Sequence, residues 1–167
     1  EMHDKLFPST EDRRMSFILM LFTITRELLS QVYDVCLVDI TYEATEIGVV
    51  RDGTLAYCTH TPFGSFSLAR EIAGITGVPL HEAFGYLHTE KPYSFLKSLG
   101  DSKRTATELA FDNYVVRVSD LFRETGDALS IPKNISLHSD LKSEPLFFDL
   151  IEKAAKRNIK TTPNITT

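Results

Sequence analysis

The sequence predicts a mixed α/β domain, a sheet flanked by helices, and three observations carry that prediction. Val35-Cys36-Leu37-Val38 is a continuous apolar run, the pattern of a central strand covered on both faces. Asp52-Gly53 sits between two β-rich runs, a strong signal for a hairpin beside that strand. Segments with helical spacing surround both, giving the order α-β-β-β-α-α-α-β-α, which suits a layered α/β architecture better than separate all-α or all-β units.

Each element follows from local chemistry. Ser9-Thr10-Glu11-Asp12 is a helix start, and the helix should run to about Ser30. The first strand ends in Asp39; a second covers about Thr45 to Val50 and a third about Thr54 to Thr61. Pro62-Phe63-Gly64-Ser65 breaks the sheet, and Ser65 or Ser67 should cap a helix with an inner stripe of Leu68, Ala69, Ile72 and Ala73, stopped by Gly74 and Gly77. A short helix around His81 to Leu87 precedes an irregular connection containing Pro92. The longest helix begins near Ser102, buries Phe111, Tyr114, Val115, Val118, Leu121 and Phe122, and ends near Gly126. Asn134 to His138 reads as a short strand, and Pro145 fits the first turn of a last helix with Leu146, Phe147, Leu150, Ile151 and Ala154 inside. The polar tail from Asn158 would add an edge strand or stay unstructured.

Composition narrows the function. At 167 residues with 43% hydrophobic and 25% charged side chains the chain is of ordinary globular make-up, long enough to bury a core without disulfide or metal. A net charge of −5 argues against a general nucleic-acid binder, which needs clustered Lys and Arg. Cys36 and Cys58 lie in apolar strand-like runs, as buried thiols of a reducing cytosol do, so a cytoplasmic location is expected, with contact to the inner face of a membrane only through a partner. The opening at Glu1, with no secretory pattern after Met2, fits a chain excised from a larger protein.

Met15 to Ile24 is apolar but far shorter than the roughly 20 residues of a bilayer span, so no transmembrane helix is expected. Its apolar positions wrap most of the helix, which therefore wants protein on more than one side. Phe17, Met20, Leu21, Phe22 and Ile24 are the expected interface, toward a second lobe of the parent protein or a second copy of the chain.

No Walker loop, Gly-x-Gly-x-x-Gly, Gly-x-Ser-x-Gly or Cys-x-x-Cys occurs. His81 and His88 stand about two helical turns apart, too far to share an ion, and His60 and His138 show no ligand spacing. Lys153, Lys156, Arg157 and Lys160 form a basic run suited to the C-terminus of the last helix.

Four segments carry a resemblance to a known family. They are Val38-Asp39-Ile40-Thr41-Tyr42-Glu43-Ala44-Thr45-Glu46; the Asp52-Gly53 hairpin with its following strand; Pro62-Phe63-Gly64 through Leu68-Ala69-Arg70-Glu71-Ile72-Ala73; and Ile135-Ser136-Leu137-His138-Ser139-Asp140-Leu141. In order and spacing these resemble the ribonuclease-H-like lobe shared by actin, Hsp70 and sugar kinases. The nearest look is to the second lobe of the bacterial actin-like proteins FtsA (cell division) and PilM (type IV pilus assembly). The resemblance implies a mixed sheet flanked by helices over residues 33–160, preceded by a polar lead-in and apolar helix over 1–32 and followed by a polar tail over 161–167.

The departures from that family concern its nucleotide. Where the family has phosphate-loop glycines, whose lack of Cβ lets backbone N–H groups reach a phosphate, this chain has Thr41, Tyr42 and Glu43; where it has an adenosine loop of glycines, this chain has His138, Ser139 and Asp140. The resemblance with these losses implies a scaffold or assembly module of pilus or cell-division type, a pseudo-enzyme with protein partners whose ATP and Mg²⁺ binding is weak or gone. The first alternative is an ATP-binding lobe using Asp39, Thr41 and Thr45 for metal and phosphate, with Ser139 near the nucleoside. The second is a metal-dependent nuclease of ribonuclease-H-like fold, in which Asp39 and Asp140 converge with Glu43 or Glu46.

Overall fold

The computed structural model describes residues 17–28, 33–124, 131–140, 142–159 and 162–167. Helix α1 (Phe17–Leu28) leads into strands β1 (Val35–Ile40), β2 (Thr45–Arg51) and β3 (Thr54–Thr61). Helices α2 (Ser65–Thr76) and α3 (Leu80–Leu87), a 3₁₀ turn (Ser94–Ser98) and the long α4 (Asp101–Glu124) follow, then β4 (Asn134–His138), α5 (Glu144–Lys156) and β5 (Asn164–Thr166). The five strands form one mixed sheet in the order β3-β2-β1-β4-β5.

Strand β1 is the centre of this sheet. It pairs antiparallel with β2, Asp39 opposite Glu46, and parallel with β4, Asp39 level with His138. All six of its residues are buried, as its unbroken apolar run requires. The hairpin after β2 turns through Asp52 and Gly53, both at positive φ, the conformation that matches the twist of the flanking strands. Asp34 holds this turn, accepting from the Arg51 guanidinium at 3.0 Å and the Asp52 N–H at 3.1 Å.

Side chains alternate between two faces. Cys36, Val38, Ile40, Ile47, Val49, Ile135 and Leu137 join the buried faces of α2, α4 and α5 in the main core. Val35, Leu37 and Val50 point the other way, into a smaller cluster with Ile18 of α1 and with half-buried Leu21, Phe22 and Leu55. Gly48 makes that second contact close: a Cβ there would stand 2.9 Å from Ile18 Cγ1.

Several expectations shift: Cys36 is buried as expected, but Cys58, on β3 at the edge of the sheet, is exposed. Helix α2 runs through Gly74 and ends at Gly77, whose φ of 77° forms the left-handed cap and whose N–H donates to Ala73 O at 2.8 Å. A single glycine within a well-packed helix costs only about 1 kcal/mol, too little to end it. Neither Ser65 nor Ser67 caps α2: Gly64 takes the N-cap position without a side-chain hydrogen bond, and Ser65 is the first helical residue. The tail contributes β5, parallel to β4. The expected start of the first helix at Ser9-Thr10, its end at Ser30, the end of the long helix at Gly126, and Lys160 of the basic run lie outside the described residues.

Candidate functional site

At the C-terminal ends of β1 and β4, neighbours that run in the same direction, the sheet opens into a cleft of about 460 Å³. Ends of parallel strands flanking such a crevice are where α/β sheets present chemistry. Asp39, Thr41, Ser139 and Asp140, four of the five residues singled out for chemistry, line this cleft together. The fifth does not.

Thr45 is fully buried on the opposite face of the sheet. Its hydroxyl donates to Phe63 O at 2.9 Å, so Tyr114 Oη, also at 2.9 Å, must be the donor to Thr45. The proton and one lone pair of this hydroxyl are thus spent inside the core, away from the cleft. Thr45 opens β2 opposite Ile40, and the period of two that turns Ile47 and Val49 into the main core turns it inward as well.

Asp39 forms the floor of the cleft with 1% exposure. Its Oδ1 lies 2.8 Å from His138 Nδ1 across the parallel pair, and its Oδ2 is buried without a hydrogen-bond partner among the described residues. With Asp39 ionised, that bond fixes the ring proton on Nδ1 and leaves Nε2 as the acceptor. Burial pushes the Asp39 carboxyl above its ordinary value, and the His138 bond and charge oppose that rise only in part. The Phe17 ring packs against the His138 ring at 4.9 Å between centroids, so the start of α1 roofs the dyad.

The other acids do not converge on Asp39. Asp140 Oδ1 accepts the Lys142 N–H at 3.0 Å and lies 3.9 Å from His88 Nε2, while His88 Nδ1 donates to Phe84 O at 2.8 Å. Glu43 pairs with Arg70 at 3.5 Å on the surface. Glu46 does stand opposite Asp39, and its Oε2 is likewise buried without a partner. Among the described residues no group of three or more His, Cys, Asp and Glu side chains is arranged to hold a metal ion, so the carboxylate cluster expected of a nuclease is not assembled.

The backbone around the cleft is occupied. Thr41 N donates to Ala44 O at 2.9 Å and Ala44 N to Thr41 Oγ1 at 3.0 Å, closing the β1–β2 turn on itself. The first N–H groups of α2, those of Ser65 and Phe66, donate to the carbonyls of Thr41 and Tyr42 at 3.0 and 2.9 Å. Gly64 permits this docking: a Cβ there would lie 2.3 Å from Thr41 O and 2.6 Å from both Ala44 N and Tyr42 O. On the far wall the N–H groups of Ser143 and Glu144, at the start of α5, both donate to Asp140 O. Two helix N-termini thus border the cleft, and at each of them leading donors are turned onto main-chain carbonyls.

The expected interface divides. Phe17, Met20 and Ile24 are exposed, whereas Leu21 and Phe22 are half-buried against the protein's own sheet. Sequence reasoning did not single out His138 as the partner of Asp39, nor Phe17, Ser65 and Ser143 as cleft residues. The signal available was the ending of two apolar strands at Asp39 and His138, which becomes a contact only once those strands are neighbours in parallel register.

No protein-family model and no curated protein matches the sequence. Solved structures match in fold. The chain is similar to the ethanolamine utilization protein EutJ from Carboxydothermus hydrogenoformans, at 16% identity and a TM-score of 0.54 over 86% of this chain and 47% of that one. It is similar to a chain of the PilM–PilN type IV pilus biogenesis complex, at 12% identity and a TM-score of 0.57 over 78% of this chain and 37% of that one. A third similarity is to Ta0583, an archaeal actin homolog, at 16% identity and a TM-score of 0.53 over 84% and 48%. The chain spans about half the length of these proteins or less. Likeness at such identities is likeness of fold: a five-stranded mixed sheet flanked by helices, as in actin-like ATPases. No helix among the described residues is long and apolar enough to cross a membrane.

Proposed function

We propose that this chain is an actin-like-fold assembly module of pilus or cell-division type, working through protein partners at a site that no longer takes nucleotide. One observation carries the reading. A triphosphate at the end of β1 would need free backbone N–H groups from the turn and from the helix N-termini beside it. Here those of Thr41, Ala44, Ser65, Phe66, Ser143 and Glu144 already donate to protein acceptors. The residues present therefore do not fit ATP and its metal: Tyr42 and Glu43 occupy the turn, Thr45 is committed to Tyr114, and two carboxylates line the cleft without a Lys or Arg among its described lining.

A protein-binding role draws support from two sides. The pilus neighbour in fold is itself part of a complex with PilN. On this chain α1 exposes Phe17, Met20 and Ile24 beside the cleft-bearing face, toward a second lobe of the parent protein or a second copy. Calorimetry of the full-length protein with ATP and Mg²⁺ tests the reading. The expected result is no heat of binding at millimolar nucleotide; micromolar affinity would overturn it and restore the ATPase alternative.

A further inference from the structure

The cleft is built for a cation. Asp39 and Asp140 both line it, and no Lys or Arg side chain among the described residues does. Asp39 is 1% exposed, yet one of its carboxylate oxygens has no donor among the described residues. A buried carboxylate oxygen left without a donor carries the full cost of its lost hydration, and a positive guest above it offsets part of that cost. The half-buried Ser139 hydroxyl adds an acceptor at the rim. At the mouth stand two exposed aromatic rings, Phe17 and Tyr42.

These features select among cations. A phosphate or carboxylate guest would meet two carboxylates, against which the one basic group of the described lining is the His138 ring, already bonded to Asp39. A planar guanidinium presents five N–H donors that match carboxylates and hydroxyls, and its face stacks on aromatic rings. The space, about 460 Å³, suits a side chain entering from outside rather than a folded element. Asp140 is the accessible half of the pair, with its side chain 49% exposed and one oxygen engaged by the Lys142 N–H.

We propose that this cleft receives an arginine side chain from a protein partner, its guanidinium paired with Asp140 over the buried charge of Asp39 and stacked on Tyr42. The proposal rests on the reading of the chain as a protein-binding module and names the chemistry the partner brings.

Proton–nitrogen correlation spectra of the protein, titrated with N-acetyl-arginine amide, with the neutral isostere N-acetyl-citrulline amide and with pyrophosphate, test it. Saturable shifts at the amides of Thr41, Tyr42 and Ser139 are expected with the arginine compound, at least about tenfold tighter than with citrulline. Asp140→Asn keeps an acceptor for the Lys142 N–H, so it should fold, and it should weaken arginine binding several-fold; Tyr42→Ala should weaken it less. Equal affinity for citrulline, preference for pyrophosphate, shifts only elsewhere, or an unchanged affinity in Asp140→Asn would each overturn the proposal. A parallel titration with ATP and Mg²⁺ separates the two readings. Silence toward both ligands overturns the arginine site and leaves the assembly module standing, whereas ATP binding overturns the assembly reading itself.

Discussion

One face of the sheet buries Cys36, Val38, Ile47 and Val49 beneath α2, α4 and α5, whereas among the described residues the other buries Val35, Leu37 and Val50 beneath α1. The same strands serve both, so the difference lies in what covers them. On the well-covered face Thr45 is paired with Tyr114 and Phe63, while Glu71 of α2 keeps one buried oxygen without a partner among the described residues. On the thinly covered face Asp39 and Glu46 stand opposite each other, each with an oxygen that finds no partner among the described residues. The strand carboxylates with unspent polar capacity thus stand on the face that α1 covers.

The largest effect that can break this comparison is a truncation on each face. Phe147 is fully buried in the main core and Ile18 is the chief buried residue of α1. Phe147→Ala should cost about 3–5 kcal/mol, and Ile18→Ala about 2 kcal/mol, because a single covering helix can settle into the gap more readily than a core closed on all sides. Urea denaturation with unchanged m-values measures both. Equal losses would mean that α1 is as integral to the fold as the three helices opposite.

Much of this architecture was legible in the chain itself. The central strand was written as an unbroken apolar run, the hairpin as Asp52-Gly53, and the long helix as Phe111, Tyr114, Val115, Val118, Leu121 and Phe122, because burial imposes periodicity and turns impose glycine. The cleft was half legible. Asp39, Thr41, Ser139 and Asp140 were visible as strand-end residues, but the Asp39–His138 bond depends on the parallel register of strands about a hundred residues apart, which no local pattern encodes. The role of Gly64 was hidden for the same reason. In sequence it breaks a strand; in the fold its missing Cβ lets the start of α2 dock on the β1–β2 turn.

That docking gives the second way to sharpen the contrast, at the seam between the two faces. In Gly64→Ala the added Cβ meets main-chain atoms of Thr41, Tyr42 and Ala44, none of which can swing aside as a side chain would. The turn must lift from α2, at about 1–3 kcal/mol. Amide hydrogen exchange should accelerate at Ser65 and Phe66, whose N–H groups lose the Thr41 and Tyr42 carbonyls, and stay unchanged along α4. A variant with native stability and unchanged exchange at those two amides would show that the turn and helix are not locked together, and the carrying observation for lost nucleotide binding would fall with it.

The smallest expected effect, and the one most specific to the thinly covered face, is the proton linkage of Asp39. Burial raises its carboxyl above the ordinary value of 3.8, and the His138 bond and charge offset this only in part. Between 3.8 and the raised native value the folded chain holds a proton that the unfolded chain has released, so the stability owed to this group falls as pH rises through that window. Asp39→Asn removes the titration and leaves an oxygen to accept from His138 Nδ1. Denaturant midpoints of wild type and Asp39→Asn, compared from about pH 4 to about pH 7, should therefore diverge, with wild type losing ground to the variant as pH increases. Divergence in the opposite direction would mean that the His138 interaction outweighs burial, that Asp39 is a satisfied ion, and that the two faces are equally well settled electrostatically. Parallel curves would place the native carboxyl at its unfolded value and remove the strain on which the contrast between the faces rests.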